Sequence, residues 1–252
     1  MSEHYFYAEP GDFGDHIILR GQECSHLAGV LRLKKGDSVR VLDGQGKMAE
    51  AVIEKAGRHE SELAVTKVHC YERPRSLPII ALAFSKAVRR GFFLEKAVEL
   101  GACEVWLWQG DHSQGKLPDS VRENWQGKMI AGIKQCHNPW LTKVRAFPDG
   151  ITAVIEAAKD FEHHILPWEK QDGVDMLTEK DLGQDGRTIY CIGPEGGFSE
   201  REIEALQKAG YSAVSFGQRI LRCETAATLC LGLHWWASQQ NGHPDAMPGS
   251  GS

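Results

Sequence analysis

Two glycine-bearing loops hold the residues best placed for chemistry. The first reads Ile192-Gly193-Pro194-Glu195-Gly196-Gly197-Phe198-Ser199, and the second Phe216-Gly217-Gln218-Arg219-Ile220-Leu221-Arg222-Cys223-Glu224-Thr225. Gly193, Gly196 and Gly197 carry no Cβ, so a backbone there can approach a ligand closely. Glu195 adds one carboxylate. Arg219 and Arg222 can hold a phosphate or orient a carboxylate through their forked guanidinium groups. A salt bridge to Glu195 or Glu224 is the plainer use of the same arginines. The glycine spacing is neither the dinucleotide fingerprint G-x-G-x-x-G nor a P-loop with its Gly-Lys-Ser/Thr, so NAD and ATP lose their usual signals.

The elements around the loops place them at strand ends. Each loop follows an apolar run and precedes a helical stretch. Ser199 with Glu202 three residues on is a capping-box signature, and Gly210 is a natural residue to close that helix. From Ile79 onward strands and helices alternate: strands at 79–84, 103–108, 142–147 and 163–166, helices at 91–100, 121–135, 152–158 and 224–239. This alternation argues for a parallel sheet flanked by helices, in which ligands sit at the carboxyl ends of strands. The first part of the chain differs. It has short alternating strands, a helical segment from Cys24 to Leu33, and the hairpin signal Asp43-Gly44, and it reads as a small barrel or sandwich. The polar, proline-bearing stretch 72–78 is the natural linker. The expected division is 1–73, 74–240 and a disordered Gly/Pro/Ser-rich tail at 241–252.

Composition sets outer limits. The chain has 252 residues, 42% apolar and 25% charged, as in ordinary globular proteins. No apolar run reaches the ~18 residues of a membrane span, and the N-terminus lacks a secretory pattern. A cytoplasmic protein without membrane contact is expected. Seven cysteines are spread singly, with no Cys-x-x-Cys, so reduced thiols are expected and a metal site is not. The pair His163-His164 has no third ligand in view. The net charge of −5 argues against a bulk polyanion binder while leaving room for local basic patches.

The two loops resemble those of the RsmE family of RNA methyltransferases, in the SPOUT superfamily. Supporting matches are His26-Leu27, Val30-Leu31-Arg32, Lys35-Gly36-Asp37, the run Glu95 to Gly101, and Gln135-Cys136. The resemblance covers roughly residues 5 to 238. It implies an N-terminal PUA-like β-barrel that helps hold RNA, and an α/β SPOUT domain with a C-terminal trefoil knot. It also implies S-adenosylmethionine as methyl donor, a homodimer with active sites at the subunit interface, and methylation at N3 of a uridine in 16S rRNA of the small ribosomal subunit. The donor is expected against Leu166, Ile192, Gly193, Glu195, Gly196, Gly197, Phe216, Gly217, Ile220, Leu221 and Thr225, with Trp168 close by. Arg222 is expected to stabilise the developing uracil anion, and Glu195 to orient a group or accept a proton. For RNA the candidates are His26, Arg32, Lys34 and Lys35 in the barrel, and Lys86, Arg89 and Arg90 beyond the strand at Ile79.

This chain departs from the family's pattern in places. Members often carry Ser-Glu-Arg-Ser where Gly110-Asp111-His112-Ser113 stands here, and Ala87-Val88-Arg89-Arg90-Gly91 replaces a Gly-Asp-Arg-like segment. The segment 134–138 differs as well. These positions bear on the substrate side. Methylation of a different RNA nucleotide, or an inactive RNA-binding module, are the alternatives they leave.

Overall fold

The computed structural model describes residues 4–57, 59–85, 87–168 and 175–240, with the side chains of 87–89 excepted. The expected tail at 241–252 and Lys86 lie outside the described residues. The chain divides into two compact units. One is the N-terminal part up to Arg73 together with Ile130–Leu141; the other is Pro74–Met129 together with the chain from Thr142 onward.

The first unit holds β1 (Tyr5–Tyr7), β2 (His16–Arg20), a short α1 (Gly21–Ser25) that runs into a π-turn at His26–Val30, β3 (Ser38–Leu42), β4 (Lys47–Lys55) and β5 (Glu60–Cys70). The sheet order is β1-β3-β4-β5-β2, with β1 parallel to β3 and the other pairs antiparallel. Two register shifts, at Glu50/Ala51 and Ile53/Lys55, bend β4. The sheet is thus a curled half-barrel with β1 and β2 as its edges. Alternate residues Val39, Val41, Ala51, Ile53 and Leu63 face inward and pack with Phe6, Ile17, Leu19, Cys24 and Leu27. The β3–β4 hairpin forms where Asp43-Gly44 signalled it. Asp43 Oδ1 accepts from the backbone N–H of Gln45 (2.7 Å) and of Lys47 (2.8 Å), and Gly44 takes the left-handed φ of 69°.

The second unit alternates β6 (Ser76–Ala83), α2 (Ala87–Glu99), β7 (Glu104–Trp108), α3 (Glu123–Cys136, its last turns belonging to the first unit), β8 (Lys143–Phe147), α4 (Ile151–Ala158), β9 (His163–Pro167), β10 (Gly186–Ile192), α5 (Glu200–Lys208), β11 (Ser212–Val214) and α6 (Cys223–Gln240). All pairings in its sheet are parallel, in the order β11-β9-β10-β6-β7-β8. The central strands β6 and β10 read as near-continuous apolar runs, because helices cover both faces; Ile79 to Ala83 and Ile189 to Cys191 are all but inaccessible. Helix α2 starts at Ala87, earlier than the glycine at 91 suggested. Gly91 lies inside the helix, where a single glycine is tolerated at a cost of about 1 kcal/mol.

The strand order has one consequence for function. β6, β7 and β8 are laid down outward in sequence. The chain then returns to the far side for β9, and β10 enters between β9 and β6. The order of strands reverses beside β10, and in open α/β sheets such a reversal opens a crevice at the carboxyl ends.

A buried polar chain fastens α6 beneath this sheet. Ser76 Oγ donates to the carbonyl of Gln184 at 2.6 Å, so it must accept from His234 Nε2–H, 2.8 Å away. His234 Nδ1 is then left as acceptor for the hydroxyl of Tyr190 at 2.9 Å. Burial of the imidazole pushes its pKa down to about 4, which keeps it neutral in this network.

Candidate active site

The loops after β10 and β11 meet at a cavity of about 230 Å³. Its lining includes Ile192, Gly193, Glu195 and Gly197 from the first loop and Ile220, Leu221 and Arg222 from the second, so two turns remote in sequence share one space. Pro194 and Phe198 complete the first side. Pro167 and Trp168, at the end of β9, form another wall, and Cys223 and Ala226 of α6 close the cavity. Trp168 continues the β9–β11 pairing, its N–H donating to the carbonyl of Val214 at 2.9 Å.

Local chemistry explains the shape of the first loop. The N–H of Gly197 donates to the carbonyl of Pro194 at 2.9 Å, closing a turn with Glu195 and Gly196 at its corners. Gly197 then takes a φ of 77°, which favours glycine. Phe198 lies parallel to Trp108 at 5.9 Å between ring centroids. A Cβ on Gly193 would come within 2.8 Å of that Phe198 ring. Ser199 caps α5 as expected: its Oγ accepts from Glu202 N at 3.3 Å, and Glu202 accepts from Ser199 N at 2.8 Å.

Arg222 is exposed at the cavity rim, and Ile220 is 83% exposed beside it. Cys223 is the one thiol in the lining. Burial, a hydrogen bond from its Sγ to Glu224, and the nearby carboxylates of Glu195 and Glu224 push its pKa up to about 12. It stays a protonated thiol and is no nucleophile at neutral pH. The remaining expected donor residues lie off the lining. Leu166 is fully buried in the core, one residue before the wall at Pro167. Gly196 is exposed on the outside of the turn. Phe216 and Gly217 belong to the β11–α6 loop, and Thr225 is exposed on the first turn of α6. Sequence reading does not single out Pro167, and it gives Phe198 of the first loop no role, because their contribution is shape.

The candidate RNA residues fare differently in the two units. His26, Arg32, Lys34 and Lys35 are all exposed, with His26 set edge-on to Phe6 and Arg32 at a left-handed φ of 55°. Lys86 and the side chain of Arg89 lie outside the described residues. Arg90 corrects the expectation of a surface cation. Only 6% of it is exposed; its guanidinium stands over the rings of Phe84 (4.4 Å) and Trp125 (5.1 Å), and Nη1 donates to the carbonyl of Ser85 at 2.6 Å. Its charge serves packing between β6 and α3 instead of reaching a phosphate.

Comparison with known proteins agrees with this architecture. Residues 73–235 match the RNA methyltransferase domain model, and residues 19–66 match the RNA methyltransferase PUA domain. The ribosomal RNA small subunit methyltransferase E of Mesomycoplasma hyopneumoniae is 29% identical over 218 residues, 85% of this chain and 92% of its own. The enzyme of the same name from Neisseria gonorrhoeae, solved bound to S-adenosyl methionine, superposes with a TM-score of 0.74 at 22% identity, covering 91% of this chain and 95% of its own. A Legionella pneumophila protein solved with bound SAM superposes at 0.83 with 23% identity, covering 94% and 98%. The last two show a shared fold. With the methyltransferase model matched over 73–235, the PUA model over 19–66, and a paired-loop cavity at the carboxyl ends of the strands, the chain belongs to the RsmE family of RNA methyltransferases.

Proposed function

We propose that this protein transfers a methyl group from S-adenosylmethionine to N3 of a uridine in 16S rRNA, working as a homodimer with a knotted catalytic unit. The observation that carries the reading is the single cavity built jointly by the loops after β10 and β11. Its chemistry fits the donor. Trp168, Phe198, Ile220 and Leu221 supply aromatic and aliphatic walls for a purine ring, the Gly193 and Gly197 backbone can be approached closely, and Glu195 offers a carboxylate to a cationic or hydroxyl-bearing ligand. When bound, the donor supplies an electrophilic methyl group.

The chain's own residues then have three tasks. They must hold the acceptor base against the rim, remove the N3 proton, and stabilise negative charge as it spreads to the uracil oxygens. Arg222, exposed at the rim, is placed to donate to such an oxygen. Glu195, the carboxylate in the same lining, is assigned to orient the base or take the proton. Cys223, held as a thiol, takes no covalent part. In the first unit, His26, Arg32, Lys34 and Lys35 are exposed cations and a ring suited to the RNA backbone. One observation supports the homodimer and another the knot. Leu229, Trp235 and Trp236 are exposed on α6, and Phe92 on α2, a helix that packs against α6, and these are apolar side chains a second copy would cover. The entry of β10 between β9 and β6 is the topology a threaded chain needs. An rRNA substrate is consistent with a cytoplasmic protein.

Mass mapping of methylated nucleotides in rRNA from a deletion strain tests the reading. Loss of 3-methyluridine from 16S rRNA is expected; loss of another mark would move the substrate, and an unchanged map would overturn the assignment.

A further inference from the structure

We propose that the turn Gly110–His112, just after β7, is a positioning element that holds the cavity loop in shape, with Asp111 acting through Ser199 and His112 acting through Gly197. The proposal rests on reading the cavity as the methyl-donor site.

The end of β7 supports the 193–202 segment at successive points. Trp108 stacks on Phe198. Asp111 Oδ2 accepts from the hydroxyl of Ser199 at 2.6 Å, and Oδ1 accepts from Arg201 at 2.8 Å. The N–H of Asp111 donates to Glu202 Oε1 at 2.8 Å, across 91 positions of sequence. His112 Nδ1 lies 3.0 Å from the carbonyl of Gly197; a carbonyl only accepts, so the ring donates. Behind these bonds the glycines leave no room for a side chain: a Cβ on Gly196 would meet the Cβ of His112 at 2.8 Å, and one on Gly110 would meet the ring of Pro194 at 3.2 Å.

The cap of α5 is therefore shared. Ser199 Oγ accepts from its own helix while donating to Asp111, and the almost inaccessible Glu202 divides its two oxygens between Ser199 and Asp111. On the other side of this segment Gly193, Glu195, Gly197 and Phe198 face the cavity. Loop groups that are already ordered cost less to order when a ligand arrives. His112 and Asp111 touch the loop from outside the lining, so they act on ligand affinity through it.

The test is calorimetry with S-adenosylhomocysteine on the full chain, for wild type, Asp111→Ala, His112→Ala and His112→Asn, alongside KM and kcat for the methyl donor and RNA affinity by anisotropy. Wild type is expected to bind. Each alanine variant is expected to bind about tenfold more weakly, equivalent to ~1.4 kcal/mol. KM for the donor should rise by a similar factor, with kcat at saturation and RNA affinity within about twofold. His112→Asn should return close to wild type, because a carboxamide N–H can replace Nδ1–H as donor. Both residues are exposed, so the variants should keep the wild-type circular dichroism. Unchanged affinity in both alanine variants overturns the proposal, as does His112→Asn binding as weakly as His112→Ala. A wild type that fails to bind S-adenosylhomocysteine would instead bring down the donor-site reading, and this proposal with it.

Discussion

A Cβ placed on Gly196 would stand 2.8 Å from the Cβ of His112, so the tip of the cavity loop and the turn after β7 are in contact wherever a side chain could begin. Gly196 is glycine for its neighbour. Gly196→Ala should weaken S-adenosylhomocysteine binding by about tenfold or more, because one backbone must shift. Combining it with His112→Gly removes the opposing Cβ, and a double-mutant cycle by calorimetry should then show recovery. Additive losses would deny the contact.

Gly197 has a different reason to be glycine. Its φ of 77° is strained for any L side chain, so Gly197→Ala should lower stability by about 1 kcal/mol in urea melts, and replacing a neighbouring residue should not restore it.

Arg222→Ala should lower kcat by about 10²- to 10³-fold while RNA still binds, the loss typical of one donor to a developing oxyanion. Single-turnover methylation of rRNA, paired with a binding assay, measures this. Transfer at near wild-type rate would assign the charge stabilisation elsewhere.

Stability should fall in acid through His234. Its folded pKa of about 4 lies below the unfolded value near 6.5, so the unfolded chain binds the extra proton first. The contribution is complete above pH 6.5 and is lost as pH drops toward 4, amounting to ~3 kcal/mol in full. Urea midpoints at pH 7 and pH 4.5 check the sign. Tyr190→Phe removes the donor to Nδ1 and should cost about 1–3 kcal/mol at neutral pH.

Arg90→Ala should lower the melting temperature, since it empties the space between Phe84 and Trp125, and should leave the salt slope of RNA binding unchanged. A reduced slope would return Arg90 to the RNA surface.

The sequence made much of this legible. Strand and helix alternation after Ile79, the Asp43-Gly44 hairpin and the Ser199–Glu202 cap are local patterns with local causes, and each appears in the fold. The cavity loops could be singled out because glycine, carboxylate and arginine in two short runs are rare together. What stayed hidden depends on distance in sequence. Arg90 reads as a surface cation until Phe84 and Trp125 are folded around it. Asp111 and His112 stood out only as departures from a family pattern, because their partners at 197–202 are brought near by the sheet order alone. Leu166 lies in the core, and the cavity wall at the end of β9 is formed by the next two residues, Pro167 and Trp168, a difference of position that no sequence pattern marks.

The insertion of β10 also fixes when the site can exist. Ser76, at the start of β6, bonds to Gln184 and His234, 108 and 158 positions away. The local strands β6, β7 and β8 can pair early, yet the central ladder must wait for β10, and its seal for α6. Contacts of such separation slow folding, and during synthesis they cannot form until His234 on α6 has left the ribosome. A nascent chain therefore has no complete cavity until β10, β11 and the start of α6 have all emerged.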